Sequence, residues 1–162
     1  MDDDTISYGP VIGTTPFFDW IAEKYTPSSN SLEELSHQRI DEHETSLMDR
    51  VSAAWKISMA HLTVEQIRLL TSQEIGLEWL AEPVALFVQK YPMAHATFYF
   101  GDLSVAALRA FAKILAVAPN FARDMAKVEF NWKDDWKKID PAFARELDAL
   151  VTNAKILARG HS

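Results

Sequence analysis

His37, Asp41, Glu42, His43 and Glu44 sit close together in the chain, and imidazoles mixed with carboxylates can ligate a divalent cation. Their order does not match a recognised metal spacing such as H-E-x-x-H. They therefore read as solvated acidic surface, and no metal is expected. No serine stands in a G-x-S-x-G elbow, and five glycines leave little material for a phosphate-cradling loop. The absence of cysteine removes thiolate nucleophiles, zinc–thiolate sites and disulfides. Gln73 could act as an active-site amide and Asp102 as a general base, but each has a structural reading that accounts for its position. Gln73 reads as a buried amide bonded to the adjoining backbone. Asp102 follows Gly101 and precedes an apolar helical stripe, which suits a helix N-cap. Trp79, Phe87, Trp132 and Trp136 could line a ligand pocket, but their helical spacing among apolar neighbours reads as core. No catalytic or cofactor-binding set emerges.

The charge pattern points to contact chemistry instead. Glu33, Glu34, Asp41, Glu42, Glu44 and Asp49 crowd one segment in which Arg39 is the sole lysine or arginine. A net charge of −7 argues against direct binding of nucleic acid, whose phosphates demand a basic footprint. The same charge favours encounter with a basic partner. Lys133, Lys137 and Lys138 are offset by Asp134, Asp135 and Asp140, a mixed-charge helix face and not an RNA platform. Met1-Asp2-Asp3-Asp4 lacks the order of a secretory signal, and no apolar run has the length of a membrane span. The expected location is cytoplasmic, with no membrane contact.

These residues must be positioned by helices. The composition, 48% hydrophobic and 24% charged, is that of a globular chain, and its length suits one domain over residues 1–162. Residues 1–14 read as an irregular, partly mobile lead-in. Thr15-Pro16 suggests an N-cap and first-turn proline for a short helix reaching about Tyr25. Ser31-Leu32-Glu33-Glu34 has capping-box spacing, without the apolar period of a long helix after it. Leu47, Val51, Ala54 and Trp55 form a one-sided stripe ending at Ser58. Thr63-Val64-Glu65-Gln66 is a second capping box, opening a helix that Gly76 would stop. Leu77 to Tyr91 is apolar nearly all round and reads as a buried helix that Pro83 either kinks or restarts. Residues 97–100 could form a short strand-like stretch or a packed loop. Leu103 to Leu115 continues a helical pattern as far as Pro119, and Phe121, Met125, Val128, Trp132 and Trp136 extend it. Asp140-Pro141 opens a last helix whose inner face includes Phe143, Leu147, Leu150, Val151, Ala154 and Leu157. With no strand–helix alternation, the expectation is a single compact all-α, multi-helix domain.

The run Ile67-Arg68-Leu69-Leu70, Gln73-Glu74-Ile75-Gly76-Leu77, Trp79-Leu80, Pro83-Val84-Ala85-Leu86, Tyr91-Pro92-Met93 and Phe98-Tyr99-Phe100-Gly101-Asp102-Leu103 resembles the core of one family of immunity proteins from bacterial contact-dependent growth inhibition (CDI) systems. Ser31-Leu32-Glu33-Glu34-Leu35 matches an S-L-E-E-L element of the same family. Thr71-Ser72, Ala96-Thr97 and Phe100 stand where the family pattern has Ile-Gly, Gly-Asp and Pro. The resemblance implies a non-catalytic helical inhibitor that binds the C-terminal toxin domain of a cognate exoprotein and blocks its active site. It further implies that the partner is a basic nuclease, some partners being ribonucleases of the pancreatic type. On that reading Glu33, Glu34, Asp41, Glu42 and Glu44 are toxin-facing, while Gln73, Gly76, Pro83, Gly101 and Asp102 shape the scaffold as stops, kinks and caps. Two rival readings are a small helical enzyme or ligand-binding domain with an apolar pocket between Trp79 and Phe111, and an acidic nucleic-acid mimic that inhibits some other protein.

Overall fold

The structure, a computed structural model, describes residues 9–40, 45–130 and 132–160. Among these the regular elements are helices: α1 (Leu32–Ser36), α2 (Ser46–Lys56), α3 (Val64–Ser72), α4 (Leu77–Lys90), α5 (Asp102–Arg109), α6 (Phe111–Val117), α7 (Pro119–Ala126), α8 (Lys133–Ile139) and α9 (Pro141–Gly160). Two short 3-10 helices, Phe17–Ile21 and Met59–His61, complete them, and only isolated β-bridges occur. The fold is all-α.

Both capping boxes form. Ser31 Oγ accepts from the Glu34 amide while Glu34 Oε1 accepts from the Ser31 amide at 2.9 Å. Thr63 and Gln66 repeat the exchange at the start of α3. Each pair satisfies two amides that lack an intrahelical partner, so the helix starts are set locally. Asp140 Oδ1 likewise accepts from the Phe143 amide at 3.1 Å, with Pro141 as the first residue of α9.

The structure corrects several other boundaries. Thr15 does not cap a helix: its hydroxyl donates to Ile12 O at 2.6 Å and accepts from Trp20 Nε1 at 2.9 Å. The helix therefore starts one residue later, as a 3-10 turn ending at Ile21, and the Phe17 amide bonds to Leu62 O. Gly76 does not stop α3. The Ile75 amide bonds to Leu70 O and the Glu74 amide to Thr71 O, a Schellman closure with Glu74 at φ 55° in the left-handed position. That conformation costs a non-glycine residue about 1–2 kcal/mol. Gly76, at φ 77°, opens α4 instead, and a Cβ there would press on Leu32 Cδ1 at 3.0 Å. α4 runs unbroken through Pro83, so the proline is no fresh start.

The Leu103–Leu115 pattern divides at Ala110 (φ −92°, ψ 11°) into α5 and α6. This break lets Val105, Leu108, Ile114 and Leu115 all be buried. The stripe from Phe121 to Trp136 is also interrupted. α7 ends at Ala126, and Trp132 lies before α8, stacked on Phe130 with centroids 4.4 Å apart.

Helix α4 is central. It packs against α6 and α7, while α3 lies on α5 and α9 crosses α7 and α8. Phe17, Phe87, Phe111, Leu70 and Leu80 are fully buried in one connected core. Residues 9–14, within the expected lead-in, are tied down. The Gly9 amide bonds to Met93 O, the Ile12 amide to His95 O and the His95 amide to Pro10 O, while the Glu65 amide reaches Gly13 O. A Cβ at Gly13 would lie 1.9 Å from Ala96 O, so this strap requires glycine to pass. It brings residues 9–13 against the segment that leads into α5.

Candidate functional site

The segment between α4 and α5 is a packed loop, not a strand. His95 and Phe100 form an isolated bridge, and residues 96–99 bend around one side chain. That side chain is Asp102. Its carboxylate, 3% exposed, accepts from the Ala96 amide through Oδ1 at 2.8 Å. Through Oδ2 it accepts from the Thr97 and Phe98 amides at 2.8 and 2.7 Å. Asp102 is thus the first residue of α5 and not its N-cap; Gly101 holds that position, and no side chain caps the helix. The carboxylate turns back on the preceding loop because three consecutive amides there converge on it, bonds that are stronger to an ionised acceptor. Gly101 adopts φ 88°, and a Cβ there would meet Trp132 Cε3 at 2.8 Å. The loop is closed by Gly101 N–H to Ala94 O at 3.1 Å.

Arg68, on α3, buttresses the outer side. Its Nε donates to Thr97 Oγ1 at 2.9 Å and its guanidinium lies 4.7 Å from the centre of the Phe98 ring. Burial draws the guanidinium below its ordinary value, and the nearby Asp102 carboxylate opposes that shift. An arginine held this way stays charged. It supplies both a cation over the ring and a counter-charge for Asp102.

The loop presents aromatics unequally. Tyr99 turns in, edge-on to Trp136 and Phe143, and burial raises its phenol above the ordinary value. Phe98 points out and is 66% exposed. Beside it opens a recess of about 350 Å³ lined by His95, Phe98, Phe100, Trp132, Trp136 and Ile139, among others, with no lysine or arginine among the described residues. Ile139 is also largely exposed, and so is Val11, which bridges to His95. A larger groove of about 520 Å³ lies at Ala126 and Ala158, but Arg123, Lys127, Lys155 and Arg159 rim it. Exposed aromatic and aliphatic side chains gathered around a rigid loop are the material of a protein contact. Among the described residues no cluster could hold a metal ion, and no helix is long and apolar enough to cross a membrane.

A family model described as CDI immunity proteins matches residues 31–124, more than half of the chain. The chain belongs to the CDI immunity protein family. Its role is immunity toward a CDI toxin, and its partner is the cognate toxin. No curated protein and no solved structure matches the chain. The matched span takes in both the acidic segment and the Asp102 loop of the immunity protein.

The residues singled out in the sequence occupy separate places. Glu33 and Glu34 lie on α1; Glu34 is exposed but commits Oε1 to the capping box. Glu33 is half-buried, and its Oε2 has no partner among the described residues. Asp41, Glu42 and Glu44, with His43, lie outside the described residues. Gln73 is exposed at the end of α3, where its backbone amide bonds to Leu69 O, so it is not a buried amide. Its position one residue past the helix turns the side chain to solvent. Pro83 is buried within α4. Trp79 and Phe87 belong to the core as expected, whereas Trp132 and Trp136 also line the recess. The exposure of Phe98 was missed; three consecutive aromatics before Gly-Asp, with no helical partner spacing, are its only trace in the sequence.

A second recess of about 210 Å³, lined by Arg68, Arg109 and Thr71, lies behind the loop. Thr71 is fully buried, and its hydroxyl has no hydrogen-bond partner among the described residues. An unpaired buried hydroxyl costs about 1–3 kcal/mol. Thr71→Val keeps the shape and removes the hydroxyl, so it should raise stability by about 1 kcal/mol. A higher urea midpoint with an unchanged slope is the expected result, and a lower midpoint would show that the hydroxyl is satisfied.

Proposed function

We propose that this chain, acting as one helical domain over residues 1–162, neutralises a ribonuclease-type CDI toxin in the cytoplasm. It does so by covering the toxin's cationic active-site cleft, without cofactor or chemistry of its own. The observation that carries this reading is membership of the immunity family in a chain of net charge −7 whose acids crowd one segment. A nuclease that grips RNA presents a basic surface, and carboxylates can stand in for the phosphates it binds. We place Glu33, Glu34, Asp41, Glu42 and Glu44 on the toxin-facing side. The exposure of Glu34 on α1 supports that placement, and the other three follow α1 within a few residues of sequence.

Two measurements test the proposal. Co-expression with the toxin domain of the exoprotein encoded immediately upstream should restore growth, co-purify the pair and suppress RNA cleavage; a toxin that cleaves no RNA would end the ribonuclease reading. Reversing Asp41, Glu42 and Glu44 to lysine should slow association about 10- to 100-fold at low salt and flatten its salt dependence. Unchanged association kinetics would remove the segment from the interface.

A further inference from the structure

Charge supplies encounter, but a long-lived complex needs a few desolvated anchors. Phe98 has the features of one. A carboxylate is buried and three backbone amides are committed to it, and the outcome of that local investment is a phenylalanine held 66% in solvent. The three amides compensate the burial of the Asp102 charge and hold the loop, but nothing in that arrangement is gained by leaving an aromatic ring in water. Departures of this kind from stability are expected where function requires a fixed geometry. Fixing the loop in advance also lowers the entropy lost when the ring is captured.

We propose that Phe98 is an anchor of the toxin interface, inserting into the cognate toxin domain while the recess beside it receives an apolar side chain of that toxin. The inference rests on the immunity reading, which supplies the occupant. Charge favours the place. A basic toxin meets four cations, Arg123, Lys127, Lys155 and Arg159, against Glu129 at the larger groove, whereas among the described residues the recess beside Phe98 has neither lysine nor arginine in its lining. Arg68, whose guanidinium lies over the Phe98 ring, is bonded to Thr97 and balanced by the Asp102 carboxylate. Val11 and Ile139, 70% and 71% exposed, extend the apolar surface around it. The interface then has two parts: acids that steer association, and a rigid aromatic contact that governs dissociation.

The test measures binding of the full-length protein to a catalytically inactivated form of the upstream-encoded toxin domain, by stopped-flow or surface plasmon resonance. Phe98→Ala should weaken affinity about thirtyfold, mainly through faster dissociation and at any salt concentration. Its melting temperature should fall by no more than a few degrees, because the ring is largely exposed and gives up mainly its contact with Arg68. Ile156→Ala removes another exposed apolar side chain, 52% in solvent, on α9 and outside the recess, and should bind as the parent does. An affinity loss of less than tenfold in Phe98→Ala overturns the proposal, as does an equal loss in Ile156→Ala. If Phe98→Ala instead abolishes self-association and leaves toxin binding intact, the patch joins two copies of this chain and the proposal fails. Absence of binding by the parent protein would overturn the immunity reading itself, a result distinguishable from either of these.

Discussion

Asp102→Asn should lower the free energy of unfolding by about 3 kcal/mol. The carboxylate accepts three backbone amides, one through Oδ1 and two through Oδ2. An asparagine offers one oxygen and one NH2 group, so whichever way it is flipped, at least one loop amide faces a donor. Hydrogen bonds to charged groups contribute about 1.5–3 kcal/mol each, and the relief of no longer burying a charge offsets only part of their loss. The Arg68 guanidinium also loses the carboxylate that does most to favour its charge, while remaining bonded to Thr97. Urea denaturation followed by circular dichroism measures the effect. A loss below about 1 kcal/mol would show that the loop holds itself together without the carboxylate. The two-part interface makes a functional prediction as well: the variant should bind toxin more weakly through dissociation, as Phe98→Ala does, although its phenylalanine is intact.

Trp132→Ala should be the most damaging single change, costing about 3–5 kcal/mol. The indole is among the largest fully buried side chains; it stacks on Phe130 with the two rings 7° from parallel, and its Cε3 lies against Gly101. Removing it opens a cavity between the non-helical segment before α8 and the loop that precedes α5. It also removes the floor of the recess beside Phe98. Native domains have about 5–15 kcal/mol in hand, so the variant should remain folded but melt far lower. Trp132→Phe should recover more than half of the loss, since an aromatic ring of smaller volume can still stack on Phe130. A Trp132→Ala variant with a near-parental melting curve would mean that the indole is not in the core.

The sequence was most informative where the physics is local. Ser31 with Glu34, Thr63 with Gln66, and Asp140 with Phe143 each satisfy free amides at a helix start between residues three positions apart, and Pro141 has no amide to satisfy. They could therefore be read without knowing the fold. Apolar periodicity located α2, α4 and the inner face of α9 for the same reason. The family resemblance was carried by residue types along the chain and is met by the match over residues 31–124. The acidic segment was equally visible as a run of charges, though sequence could not show that Glu34 divides its carboxylate between cap and solvent.

Elsewhere a local rule had competitors, some a few residues away and some far along the chain. Asp102 was read as a cap because Gly-Asp before an apolar stripe suits one, yet the amides of Ala96, Thr97 and Phe98 are also within reach, and they win. Gly76 reads as a helix stop, but Glu74 already closes α3 and leaves Gly76 in a left-handed conformation with Leu32 tight against it. Helical spacing from Phe121 to Trp136 hid a non-helical segment, because stacking of Trp132 on Phe130 and Gly101 matters more there than continuing the helix. What the sequence alone determined was an acidic, all-α member of the CDI immunity family with its helix starts marked. What only the tertiary structure decided was which aromatic faces water. Exposure depends on which distant groups occupy the space around a side chain, and the aromatic run Phe98-Tyr99-Phe100 has no period that reveals it. The buried Asp102 and Arg68 from α3 hold the loop while Trp136 and Phe143, from α8 and α9, receive Tyr99, and that arrangement leaves Phe98 outward.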